Sequence, residues 1–189
     1  NHRKRDSTLR STWGANDQTK VLISVGRMAP EKNLEQVLNA FEALRWMNDK
    51  IKLVMVGDGP LREQYQQRFP DIIFPGMLSQ KDLSVYYASS DLFVFPSQTE
   101  TFGNVTLEAL ASGIPVLAFD CAAARDWVEP GVNGWLVPED RPEKFAAQAV
   151  DIFKTEGLLE KVTDTTRQQQ VHLDWSQIAE QVESVLWDA

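Results

Sequence analysis

Short apolar runs alternate with amphipathic stretches along most of this chain, and that alternation restricts the fold more than any other feature. Lys20–Gly26 (KVLISVG) is apolar throughout and ends in glycine, which predicts a strand buried on both faces. Asn33–Met47 follows with apolar residues at Leu34, Val37, Leu38, Phe41 and Leu44, the three-and-four spacing of a helix with one buried face. The cycle repeats: strand Ile51–Gly57, a helix from Pro60 to about Phe69, strand Asp71–Phe74, helix Gln80–Ala88 and strand Asp91–Phe95. Next come a helix over Gly103–Ser112 stopped by Gly113, strands Pro115–Phe119 and Gly134–Val137, and helix from Pro142 onward, with a last amphipathic helix near Ser176–Leu186. Strands apolar on both faces, separated by helices, predict a parallel sheet covered on both sides. Right-handed crossovers make it an α/β, Rossmann-like doubly wound sheet of about six strands. Residues 1–18 are polar, lack periodicity and read as a linker or tail, leaving 19–189 as one domain.

Composition limits what such a domain does. With 189 residues, 43% hydrophobic and 24% charged, the chain holds one globular core. No apolar run reaches the roughly 20 residues of a membrane span, and no apolar segment follows the basic start as in a secretory signal. A net charge of −8 argues against nucleic acid as a partner. The single cysteine, Cys121, has no disulfide partner and fits a reducing, cytoplasmic compartment. It reads as a small packing residue rather than a nucleophile, and His2 and His172 read as solvated or capping residues. No Cys/His spacing predicts a metal site. The chain opens on Asn1, which reads as a segment of something longer.

In doubly wound sheets ligands bind beyond the carboxyl ends of the strands, so the strand–helix junctions carry the chemistry. The first is Gly26-Arg27-Met28-Ala29-Pro30-Glu31-Lys32-Asn33. Gly26 permits a sharp turn, Arg27 and Lys32 bring two cations, and Asn33 is placed to cap the helix. Two cations beside a helix start suit a pyrophosphate; taken alone, two solvated surface residues read equally well. The second junction, Gly57-Asp58-Gly59-Pro60, is a tight turn that admits a ligand or a neighbouring backbone. It lacks the dinucleotide fingerprint, because Arg62 stands where a third glycine would. After the fourth strand, Glu100 in a loop and Glu108 in the helix lie eight positions apart, with the amides of Phe102, Gly103 and Asn104 between them. Carboxylates facing a phosphate would repel it, whereas carboxylates to either side can accept hydrogen bonds from a sugar at one end and a ribose at the other. The fifth junction, Asp120–Asp126, reads as a small-residue loop.

Four stretches together resemble the C-terminal, donor-binding domain of GT-B glycosyltransferases, in particular family 4 (group 1, retaining). They are VGRMAPEKNLEQVLNAF (25–41), LVMVGDGPLREQ (53–64), FPGMLSQKDLSVYYASSDLFVFPSQTETFGNVTLEALASGIPVLAFD (74–120) and GVNGWLVPED (131–140). The resemblance covers about residues 20 to 140, and Asp174-Trp175 is similar to the family's C-terminal end. It implies one half of a GT-B fold that binds a nucleotide diphosphate sugar, with an N-terminal domain for a glycan or lipid acceptor outside this chain. It further implies that Arg27 and Lys32 neutralise the departing pyrophosphate, Glu100 holds hexose hydroxyls and Glu108 grips the ribose. Thr101, Phe102, Gly103 and Asn104 would meet phosphate or sugar, while Gly26, Gly57, Gly59, Met77 and Leu78 would border the nucleoside. No metal or other cofactor is implied. Where the family often has Gly-Gly after the fifth strand, this chain has Ala122-Ala123-Ala124.

The expected activity is transfer of a hexose with retention, from GDP-mannose or a UDP-hexose, in an enzyme whose isolated donor half is inactive. Membrane association, at the inner face, would come through the missing domain. The alternatives are a nicotinamide-dependent dehydrogenase, a non-catalytic nucleotide-binding module, and an epimerase or phosphorylase of the same fold.

Overall fold

The computed structural model describes residues 5–99 and 104–169. Six parallel strands form one sheet in the order β3-β2-β1-β4-β5-β6. They are β1 (Lys20–Val25), β2 (Ile51–Val56), β3 (Ile73–Gly76), β4 (Leu92–Phe95), β5 (Val116–Phe119) and β6 (Gly134–Val137). The helices are α1 (Ser7–Thr12), α2 (Leu34–Met47), α3 (Arg62–Arg68), α4 (Gln80–Ala88), α5 (Asn104–Ala111), α6 (Ala122–Trp127), α7 (Lys144–Lys154) and α8 (Leu158–Gln169). The expected doubly wound α/β architecture is what the chain adopts.

Strand side chains alternate between two apolar layers, as the two-residue period of a strand requires. Leu22, Leu53, Met55, Val94, Leu117 and Phe119 pack against Leu34, Val37, Leu38, Phe41 and Leu44 of α2, Phe145, Ala149 and Ile152 of α7, and Leu159 and Val162 of α8. On the other face Val21, Ile23, Val54, Phe93, Phe95, Val116 and Ala118 meet Tyr87 of α4, Ala109 and Leu110 of α5, and Ala124 of α6. Along the sheet, β1 and β2 are aligned over their whole length, Lys20 opposite Ile51 to Val25 opposite Val56. The join of β1 to β4 has two aligned pairs, Leu22 with Leu92 and Ile23 with Phe93.

The structure departs from the sequence reading in several places. Residues 5–18 are not a tail. Asp6 caps α1 by accepting from the Leu9 amide at 3.0 Å, and Trp13 is buried against Tyr86 with ring centroids 5.2 Å apart. Arg10 is buried and spends its guanidinium on polar groups at the foot of the sheet: Ser89 O at 2.7 Å, Thr19 O at 2.5 Å, Asn16 O at 2.9 Å and Asp91 Oδ2 at 3.3 Å. Asp91 also accepts from the Val21 amide and from Arg5, each at 2.7 Å. These anchors are polar and aperiodic, so a search for apolar spacing passes over them.

The third strand starts two residues late, at Ile73, and α3 starts at Arg62, leaving Pro60 in the preceding turn. The stretch after β5 is a helix, α6, rather than a loop. Asn33 is the N-cap residue of α2 as expected, but its backbone is left-handed (φ 51°, ψ 36°) and its side chain makes no capping bond. The last helix expected near Ser176–Leu186 lies outside the described residues, as do His2 and His172.

Candidate nucleotide-binding site

The carboxyl ends of β1, β2 and β3 are joined by backbone. Gly26 N donates to Val56 O at 3.0 Å, Met28 N to Asp58 O at 2.8 Å, Gly57 N to Gly76 O at 2.9 Å and Leu61 N to Met28 O at 3.0 Å. Glycine is required at two of these points by close approach. A Cβ on Gly57 would sit 2.0 Å from Gly26 O, and one on Gly59 2.5 Å from Met28 O. Of the two partners the sequence allowed, ligand or neighbouring backbone, the tight contact at Gly57 and Gly59 is with backbone. Gly26 differs: among the described residues a Cβ there meets nothing within 4 Å.

The two cations of the first junction diverge. Arg27 is 69% exposed and its Nη1 lies 3.7 Å from Glu31 Oε1. Lys32 ends a single 3₁₀ turn (Pro30–Lys32), and its Nζ reaches Ser97 Oγ at 3.4 Å and the Phe95 ring at 6.0 Å from the centroid. Lys32 follows β1 and Ser97 follows β4, so this contact spans the point where strand order reverses. In open α/β sheets that crevice is where ligands bind.

A second tie crosses the same crevice. Asn33 Nδ2 donates to Gln98 Oε1 at 3.1 Å and to Pro96 O at 3.4 Å, and Gln98 Nε2 donates to Glu139 O at 3.3 Å. The mouths of β1, β4 and β6 are thereby linked through side chains. Cys121, at the end of β5, is buried with its Sγ 3.9 Å from Ser97 O. Burial first, then the neighbouring Glu139, pushes its thiol up to about 11, so it remains protonated near neutral pH.

Glu108 projects from α5 toward α4. Gln80 Nε2 donates to its Oε1 at 3.3 Å, and the Tyr87 hydroxyl lies 3.5 Å from its Oε2 and 3.3 Å from Val105 O. Burial raises the Glu108 pKa above the ordinary carboxylate value, and the Tyr87 hydrogen bond pulls it partly back. Asn104 is exposed at the first position of α5, Met77 is 79% exposed after β3, and Leu78 is partly buried beneath it. Glu100, Thr101, Phe102 and Gly103 lie outside the described residues. Sequence reasoning missed Ser97, Gln98, Gln80 and Tyr87. Each matters through a partner more than twenty positions away, and nothing in their own spacing marks them.

Lys32 thus stands at the sheet's reversal point, and Glu108 is a half-buried carboxylate on the helix that follows β4. The family model "Glycosyl transferases group 1" matches residues 6–169, and the chain belongs to that family. A GDP-mannose-dependent alpha-mannosyltransferase of Mycolicibacterium smegmatis is 41% identical over 136 residues, covering 72% of this chain and 35% of the relative. An alpha-monoglucosyldiacylglycerol synthase of Streptococcus pneumoniae is 43% identical over 116 residues, 58% of this chain and 26% of the relative. The chain thus spans about a third of the length of the first of these curated relatives. Among solved structures, Anabaena HepE in complex with UDP and glucose superposes with a TM-score of 0.76 at 23% identity, covering 97% of this chain and 52% of that one. The pneumococcal O-GlcNAc transferase GtfA in complex with UDP and GlcNAc gives 0.74 at 22% identity, covering 92% and 37%. These superpositions fix the fold as one half of the GT-B layout.

Proposed function

We propose that this domain binds the nucleotide diphosphate sugar of a retaining hexosyltransferase, with GDP-mannose or a UDP-hexose as donor and a glycan or lipid as acceptor. The observation that carries the reading is Lys32, held over the end of β4 at the sheet's reversal point by Ser97 and the Phe95 ring. An ammonium fixed there offers charge to a pyrophosphate in the crevice. Arg27, exposed one turn earlier, completes the pair by leaving Glu31 for phosphate oxygens. Glu108 accepts hydrogen bonds from the ribose hydroxyls, and Glu100 from the hexose. GDP is supported by the mannosyltransferase relatives, UDP by the ligands of the superposed structures.

In the reaction, the bond from the anomeric carbon to the β-phosphate oxygen breaks as the acceptor oxygen bonds to the same face of that carbon. The acceptor's proton passes to the departing phosphate, so configuration is retained. Arg27 and Lys32 stabilise the charge that accumulates on the leaving diphosphate. The acceptor is held by a second domain facing this mouth.

A melting panel with UDP, GDP, ADP and NAD tests the reading. Ligand at about 100 times its dissociation constant adds about 2.7 kcal/mol, or about 5–10 °C for a domain of this size. UDP or GDP is expected to raise the midpoint by that amount, and Lys32→Ala to remove most of the gain. A response to NAD alone, or to no nucleoside diphosphate at millimolar concentration, overturns the proposal.

A further inference from the structure

The Glu108 carboxylate is addressed at both oxygens by one neighbouring helix. The start of α4 is fixed by Ser79, whose Oγ accepts from the Asp82 amide at 3.2 Å. Gln80 and Tyr87 stand seven positions apart on α4, two turns, and so share a face. That face meets α5: Gln80 Nε2 engages Oε1 and the Tyr87 hydroxyl lies against Oε2. Tyr87 is buried, with its ring edge-on to Phe93 at 5.6 Å between centroids, so its phenol has little freedom to move. A cavity of about 30 Å³, room for about one water, lies between α4 and α5 among Gln80, Leu83, Ser84, Tyr87, Glu108 and Ser112, on the side from which the α4 donors reach the carboxylate.

A carboxylate has about four lone-pair positions. With one taken on each oxygen from the α4 side, one on each remains for a ligand. Two adjacent acceptor positions held in a fixed plane suit a vicinal cis-diol, which presents two hydroxyl protons side by side. The single phenolic proton of Tyr87 can go to Val105 O or to the carboxylate, and a charge-assisted bond favours the latter. Burial raises the Tyr87 pKa well above the ordinary phenol value, so the hydroxyl remains a donor.

We propose that Tyr87 and Gln80 are positioning residues that aim the Glu108 carboxylate at the ribose diol, and so set this domain's preference for ribonucleotides over deoxyribonucleotides. The inference rests on Glu108 being the ribose-binding carboxylate. Calorimetry with GDP and UDP and their 2′-deoxy counterparts tests it on the full 189-residue chain. Tyr87→Phe should weaken ribonucleotide binding about five- to tenfold, the scale of one lost hydrogen bond, while the 2′-deoxy forms change less than about twofold. Gln80→Ala, at an exposed site that folding tolerates, should compress the same ratio to a smaller extent. Glu108→Ala should abolish the ratio. If both α4 variants weaken ribo and deoxy forms equally, or neither, while Glu108→Ala abolishes the ratio, the positioning role is overturned and the ribose reading stands. If Glu108→Ala leaves the ratio at its wild-type value, both fall together.

Discussion

Ala122 occupies backbone that side chains avoid. Its φ of 45° places it in the left-handed region, where an L-residue's Cβ crowds the adjoining carbonyl. It opens the Ala122-Ala123-Ala124 run at the start of α6, and the chain bears the strain there. Ala122→Gly is therefore expected to stabilise the domain by about 0.5–1 kcal/mol, the left-handed penalty less the added freedom of glycine in the unfolded chain. Thermal unfolding should show a midpoint about 1–4 °C higher, and an unchanged or lower one would mean the conformation is unstrained. Asn33 is the other left-handed non-glycine residue among the described residues, and its case differs. Asparagine tolerates that conformation, and the turn there delivers its amide to Gln98 and Pro96.

At the scale of elements, the outcome depends on what kind of force anchors each piece. Strands β1, β2, β4 and β5 are buried on both faces, and continuous apolar runs revealed them directly. The edge strand β3 is only half buried, and its Phe-Pro-Gly ending blurred its limits by two residues. Helix α1 escaped notice because Arg10 and Asp91 hold it down through charge and carbonyl contacts. Burial lowers the Arg10 pKa while Asp91 counteracts it, which marks a charge kept inside by its partner. Arg10→Ala leaves Asp91 and three backbone carbonyls short of a donor, so a loss of about 3–5 kcal/mol is expected in chemical denaturation. A loss under about 1 kcal/mol would return residues 5–18 to the status of a dispensable tail. The site was legible in part for a related reason. Lys32 and Glu108 stood out as charges at junctions, whereas Ser97 and Tyr87 acquire their meaning only from the packing of one element on another.

At the scale of the whole molecule, the chain spans about a third of the length of its curated mannosyltransferase relative. The expected behaviour of the 189-residue chain is nucleotide binding without detectable hexose transfer. Incubation with GDP-mannose and with UDP-glucose, with and without sugar or diacylglycerol acceptors, should release nucleotide no faster than buffer. Acceptor-dependent release above that background would show that this half carries the reaction alone.

The join of β1 to β4 also bears on how the molecule holds together. Only Leu22–Leu92 and Ile23–Phe93 are aligned across it, between a three-stranded half formed early in the chain and another formed late. Lys32–Ser97 and Asn33–Gln98 bridge it from above, and a bound diphosphate would do the same at the same place. Donor occupancy would then act as a clasp across the centre of the sheet.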